Sequence, residues 1–160
     1  DLIELILKRL RPIAAKSNIE LVLESFKPII AQVDETKLTL ALSNLVENGI
    51  KYNKEGGSVR LKVDSDFADA ILTISDTGCG IAEEHFNKIY QRFYRVDKTR
   101  DRATGGTGLG LAIVHQIITM HHGSISIRSK EDVGTSFTVR IPLIAVQNAK
   151  NLAEKEEKDR

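Results

Sequence analysis

Segments with alternating apolar and polar residues occur in pairs along this chain, and helical stretches separate the pairs. Residues 58–64 (SVRLKVD) and 69–75 (DAILTIS) alternate on either side of Ser65-Asp66-Phe67-Ala68. Residues 124–129 (SISIRS) and 135–141 (TSFTVRI) do the same further on. Period-two alternation gives a strand one apolar face, so each pair is predicted to form neighbouring strands of a half-buried sheet. Residues 19–24 (IELVLE) predict a further strand, and residues 28–33 (PIIAQV) a short one. Strand and helix do not alternate regularly, which argues against a doubly wound parallel sheet. The expected fold is α+β: a mixed, mostly antiparallel sheet of about five strands with three main helices on one face.

The helices are read from period 3.6. Leu2, Leu5, Ile6, Leu10 and Ile13 predict a first amphipathic helix over 2–15, with Pro12 near its end. Asp34 can cap a second, whose apolar pattern runs from Leu38 to about Tyr52. A third is expected over about 107–121. Between Asp76 and Gly106 lies a long irregular stretch in which only a short helix around Glu83–Tyr90 is expected. Connections of that length in a compact domain are usually functional. The charged end NLAEKEEKDR has no apolar stripe, so 144–160 is expected to be a disordered tail after a domain over 17–143.

Composition narrows the function classes. Lys and Arg total 23 against 22 Asp and Glu, a net charge of +1, so nothing suggests a nucleic-acid surface or a polybasic membrane anchor. No apolar run approaches the ~20 residues of a membrane helix. The single cysteine, Cys79, excludes an internal disulfide and a multi-cysteine metal site. Sitting between glycines with no histidine motif beside it, Cys79 reads as part of a tight turn.

Three stretches carry possible chemistry. On the second helix, Leu38, Leu42, Leu45, Val46 and Gly49 gather on one side, and Asn44, Glu47, Asn48 and Lys51 on the other. The polar side is either a wetted surface or a ligand face. Asparagine is a poor choice for an ordinary exposed helix position, and the set covers distinct needs. Asn48 offers a neutral oxygen for a hard cation such as Mg²⁺. Lys51 offers a point charge for phosphate, and Glu47 a carboxylate that can orient or deprotonate a nucleophile. Tyr52 adds an aromatic face at the helix end.

After the strand ILTIS, the stretch Asp76-Thr77-Gly78-Cys79-Gly80-Ile81 is either an Asx-type turn or a carboxylate acceptor fixed at a strand end, suited to the exocyclic amine of adenine. Finally, TGGTGLGLAI (residues 104–113) places glycines at a helix start, although each interior glycine costs a helix about 1 kcal/mol relative to alanine. A flexible loop is one explanation. The other is a phosphate site, where bare backbone and a helix N-terminus meet an anion. The stretch matches neither a Walker A loop nor the dinucleotide fingerprint. It follows the basic run RFYRVDKTRDR, which reads as a solvated run or as a lid over a polyphosphate.

Four segments, NLVENGIKYN, DTGCGI, RFYRVDKTR and GGTGLGLAI, occur in that order. Together they resemble the N box, first glycine box, F box and second glycine box of the catalytic and ATP-binding domain of sensor histidine kinases. That domain belongs to a superfamily shared with gyrase, Hsp90 and MutL, and the likeness covers about residues 2–143. The resemblance implies the two-layer α/β sandwich of the Bergerat ATP-binding fold with a mobile ATP lid, and ATP and Mg²⁺ as cofactors.

By that resemblance Asn48 holds Mg²⁺, with Asn44 one turn earlier in the same box. Glu47 helps to activate the accepting histidine, Lys51 contacts phosphate, and Tyr52 lies against adenine. Asp76 accepts from the adenine amine in a pocket shaped by Gly78 and Gly80, and Arg95 reaches the γ-phosphate. Gly106, Thr107, Gly108, Leu109 and Gly110 form the second glycine box, with Leu109 and Leu111 also suited to docking the lid-side helix on the core.

His85, His115, His121 and His122 carry no phosphoacceptor motif and read as structural. The acceptor histidine is therefore expected on a separate dimerisation hairpin, with residues 1–16 as the helix leading out of it. A response regulator is the expected downstream partner. The chain itself is expected to be a monomeric, cytoplasmic catalytic domain of a membrane-anchored parent, binding Mg·ATP without phosphorylating itself. Tyr94 and Val96 either dock on the hairpin or pack beneath the lid.

Overall fold

The computed structural model describes residues 2–25, 29–92, 94 and 110–143. Helix α1 spans Leu2–Lys16, strand β1 Glu20–Ser25 and helix α2 Glu35–Lys51. Strands β2 (Ser58–Ser65) and β3 (Asp69–Asp76) follow, then a 3-10 turn at Glu83–His85. Helix α3 (Gly110–Met120) and strands β4 (Ser124–Lys130) and β5 (Gly134–Pro142) complete the order. The five strands form one sheet in the order β1-β2-β3-β5-β4. β1 and β2 are parallel, and the other neighbours antiparallel. This is the α+β sheet expected.

One register row shows how the alternation builds the core. Leu23 pairs with Leu61, Leu61 with Ile74, Ile74 with Phe137, and Phe137 with Ile127. These residues point to the helix side. Their neighbours Arg60, Lys62 and Arg128 are exposed. Against this face lie the buried stripes of α1 (Ile6, Leu7, Leu10, Ala14), α2 (Leu38, Leu42, Leu45, Val46) and α3 (Val114, Ile117, Ile118). Each fully buried Leu, Ile or Val contributes about 1.5–3 kcal/mol relative to exposure.

Two expected segments differ from the structure, and two helix boundaries agree with it. Residues 29–33 form no strand: their exposure alternates, with Ile30 92% exposed and Val33 packed on the core, but the run joins no sheet among the described residues, and residue 28 lies outside them. A short apolar run carries no periodicity that separates strand from connection. Pro12 does not end α1, because the stripe continues past it to Ala14 and keeps the helix docked to Lys16. α2 starts at Glu35, directly after Asp34, whose carboxylate accepts from Lys37 N at 3.0 Å. The segment expected to be helical around 83–90 is a single 3-10 turn followed by further turns. For the third helix, α3 begins at Gly110, and 107–109 lie outside the described residues, as does the tail 144–160.

Candidate functional site

The polar face of α2 is real. Leu38, Leu42, Leu45, Val46 and Gly49 are buried, Asn44, Asn48 and Lys51 are half-buried, and Glu47 is exposed. Half-burial keeps the amides and the ammonium at a fixed place while their polar ends stay reachable. At the helix end, Tyr52 N donates to Asn48 O at 3.1 Å, and Lys51 Nζ stands 6.0 Å from the Tyr52 ring centroid. The lysine and the aromatic face therefore share one corner.

That corner abuts the end of β3. A Cβ on Gly49 would lie 3.4 Å from Asp76 Cβ and 3.1 Å from Val59 Cγ2, so helix and strand approach closely there. Cys79 N donates to Tyr52 O at 3.0 Å, which ties the turn after β3 to the end of α2. Gly78 is required by the same closeness, since a Cβ would overlap the Tyr52 carbonyl oxygen. Gly80 has φ +71°, the left-handed region, and stands against the Lys130 backbone. Cys79 contributes through its backbone, with Asp132 N donating to its carbonyl at 2.8 Å. The turn thus joins α2 to the β4–β5 hairpin.

Asp76 forms the Asx turn, and a second element holds the same oxygen. Its Oδ1 accepts from Gly78 N at 2.8 Å and from Thr135 N at 3.2 Å. Among the described residues no donor reaches Oδ2. Burial holds this carboxyl above its ordinary value of 3.8, and the two N–H groups pull the other way. The result is a half-buried carboxylate clamped by one oxygen, with no donor from the described residues on the other.

The surrounding network includes residues that the motifs alone did not single out. Thr77 Oγ1 donates to Asn53 Oδ1 at 2.9 Å and accepts from Ser58 N at 2.9 Å, while Asn53 Nδ2 donates to Ser58 O at 2.9 Å. Ser129 Oγ accepts from Ile81 N at 2.7 Å and pairs with Thr135 Oγ1 at 2.7 Å. Thr77 sits inside the glycine motif and Asn53 follows the helix face, so both were within reach of local reading. Thr135 is 59 residues from Asp76 and carries no local signal.

Glu47, Asn44, Asn48, Lys51 and Tyr52 share α2 and its cap, and Asp76, Gly78 and Gly80 line the turn beside it. Gly110 opens α3 with no atom within 4 Å of where a Cβ would stand. Arg95, Gly106, Thr107, Gly108 and Leu109 lie outside the described residues, as does Val96. Tyr94 packs on the core, and its hydroxyl meets Nδ1 of His85. Among the described residues no group of three His, Cys, Asp or Glu could hold a metal ion, so a cation here would depend on few protein oxygens and on its ligand. No helix among these residues is long and apolar enough to cross a membrane.

Comparison with known proteins gives a consistent answer. A family profile described as "Histidine kinase-, DNA gyrase B-, and HSP90-like ATPase" matches residues 33–145. The sensor histidine kinase RppB of Synechocystis is 42% identical over 118 residues, covering 74% of this chain and 26% of RppB. The chain therefore spans about a quarter of that relative. The solved catalytic domain of the histidine kinase ThkA superposes with a TM-score of 0.78 at 28% identity, over 89% of this chain and 92% of that one. ThkA in complex with the response regulator TrrA superposes at 0.73 with 25% identity, over 89% and 39%.

Proposed function

The chain belongs to the histidine kinase-, DNA gyrase B-, and HSP90-like ATPase family, and from that premise we propose that it binds Mg·ATP and presents the γ-phosphoryl group to a histidine on a separate dimerisation domain. Asp76 Oδ2 accepts from the adenine amine, and the Tyr52 ring lies along the base. Lys51 neutralises phosphate charge. Asn48, with Asn44 one turn before it, supplies amide oxygen to the cation. The donor set fits Mg²⁺, which binds through one or two protein oxygens and otherwise through water and phosphate. Held by these amide oxygens, Mg²⁺ would supply positive charge that offsets the charge of the triphosphate.

Arg95 and the backbone N–H groups from Gly106 to Gly110, Thr107 and Leu109 included, meet the triphosphate at the start of α3. Glu47 is exposed on the same face as Asn44 and Lys51. There it orients an incoming imidazole and takes its proton as the nitrogen attacks the γ-phosphorus, while the bond from that phosphorus to the β–γ bridging oxygen breaks and ADP leaves. Catalysis rests on positioning and charge neutralisation. The acceptor histidine, the dimer contacts and the membrane anchor belong to the parent protein, and the domain by itself is monomeric and not phosphorylated. A response regulator receives the phosphoryl group afterwards, a role supported by ThkA's complex with TrrA.

The observation that carries this reading is the clamped Asp76 carboxylate, open at Oδ2, beside the Lys51–Tyr52 corner. Calorimetric titration with Mg·ATP tests it. We expect binding that Asp76→Ala weakens and that loses its preference for adenine over guanine. Equal affinity for both nucleotides in both proteins would overturn it.

A further inference from the structure

α2 and α3 run antiparallel. The N-cap of α2 meets the C-terminal end of α3, which puts the Asn44–Tyr52 half of α2 and the Gly110 end of α3 at the opposite end of the pair. Side chains join them at the cap end. His121, half-buried, follows the last residue of α3. Its Nδ1 lies 2.8 Å from Ile117 O, and Asp34 N donates to its Nε2 at 2.9 Å. Lys37 Nζ reaches Met120 Sδ at 3.5 Å beside it.

The partners dictate the ring's state. A carbonyl oxygen only accepts, so Nδ1 carries the proton; a backbone N–H only donates, so Nε2 carries none. Nε2 cannot bind a proton and accept from Asp34 N at once. Histidine is the side chain whose ordinary titration falls near neutral pH. The charged or titratable groups around this junction are Asp34, Glu35 and Lys37 at the start of α2 and His122 on the same turn. Arg140 on β5 is engaged with Asp66 and Asp69.

We propose that neutral His121 is a pH-sensitive clamp between the two helices that wall the nucleotide site, opened when Nε2 takes a proton. In acid the ring turns from the Asp34 amide towards the Asp34 carboxylate. That carboxylate is also the cap of α2, so the start of the helix is disturbed at both groups. The lever is the length of α3, 11 residues or about 16 Å, from the clamp to the end where the triphosphate sits. The coupling to nucleotide rests on the ATP reading above, whereas the clamp itself does not.

The test is an NMR titration of the full chain from pH 8 to pH 5. We expect the His121 ring to be the Nδ1–H tautomer at pH 8, and the Asp34 amide shift to follow the His121 titration. Loss of the bond should speed Asp34 amide exchange about fivefold beyond its intrinsic pH dependence, as for one ordinary hydrogen bond. Calorimetry then compares Mg·ATP affinity at pH 8 and pH 5.5 in the unaltered chain and in His121→Gln, which keeps an acceptor that does not titrate. The unaltered chain should lose up to about fivefold more affinity than the variant, since the coupling cannot exceed the bond that carries it.

An Nε2–H ring, or an Asp34 amide that ignores the titration, overturns the clamp. An amide that follows, with identical pH dependence of affinity in both proteins, overturns the coupling. Absence of ATP binding at every pH would instead strike the nucleotide assignment and leave the amide result standing.

Discussion

Replacing Asp76 by Asn should move stability and binding in opposite directions. In the free protein the amide oxygen of Asp76→Asn can still accept from Gly78 N and Thr135 N, now at 2.8 and 3.2 Å from Oδ1, while the buried charge disappears. The carboxyl is raised above 3.8, chiefly by desolvation. Between that value and its folded value the native state holds more protons than the unfolded chain. Stability therefore falls as pH rises through this window, and the cost is complete above it. The substitution removes the cost, so the variant should melt higher than the parent at pH 7, with the advantage shrinking as pH drops towards 4. In the nucleotide complex the outward group becomes an NH₂, a donor facing the adenine amine, itself a donor. A hydrogen bond to a charged acceptor contributes about 1.5–3 kcal/mol, so ATP affinity should fall about 10- to 150-fold. Thermal unfolding from pH 4 to 8 and calorimetry with ATP and GTP read the two arms. A variant less stable at pH 7 would refute the account of the buried charge. Unchanged ATP affinity would refute the place of the carboxylate in the site.

Asn48→Ala should weaken only the Mg²⁺-dependent part of ATP binding, so titrations with and without EDTA should converge in the variant. Gly78→Ala drives a Cβ into the Tyr52 carbonyl; it should cost about 1–3 kcal/mol of stability, read by denaturant unfolding, and ATP affinity as well. Asp34→Ala removes the cap on Lys37 N and should cost about 1 kcal/mol of stability, read by denaturant unfolding.

What could be seen in the sequence, and what could not, follows the range over which each interaction acts. The two faces of α2 were legible because helix periodicity is local: Leu38, Leu42, Leu45 and Val46 recur at the spacing that also groups Asn44, Glu47, Asn48 and Lys51. Both strand pairs were legible from alternation. The run 28–33 misled because six apolar-rich residues have no period long enough to separate a strand from a connection. The first helix was legible through Pro12, since the stripe of Ile6, Leu10 and Ala14 outweighs a local breaker.

Asp76 marks the boundary most clearly. Its motif left an Asx turn and a ligand acceptor as alternatives; the folded chain has the Asx turn at Oδ1, and the acceptor role belongs to the proposed nucleotide site. Gly78 N, two residues away, makes the turn. Thr135 N, from a hairpin 59 residues on, locks the same oxygen and leaves the other without a donor among the described residues. A local motif can specify the first bond but not the second. The second bears on the proposed site: a carboxylate held from one side only could rotate to satisfy both oxygens within its own turn, whereas one held from two elements keeps its remaining oxygen for the adenine amine in that proposal. Thr135 should therefore matter through its backbone rather than its hydroxyl. Thr135→Val should lose the Ser129 contact and some stability yet keep the adenine preference, whereas Thr135→Pro, which removes the N–H, should abolish that preference. A Thr135→Pro protein that folded and still distinguished adenine from guanine would show that Gly78 alone orients the carboxylate.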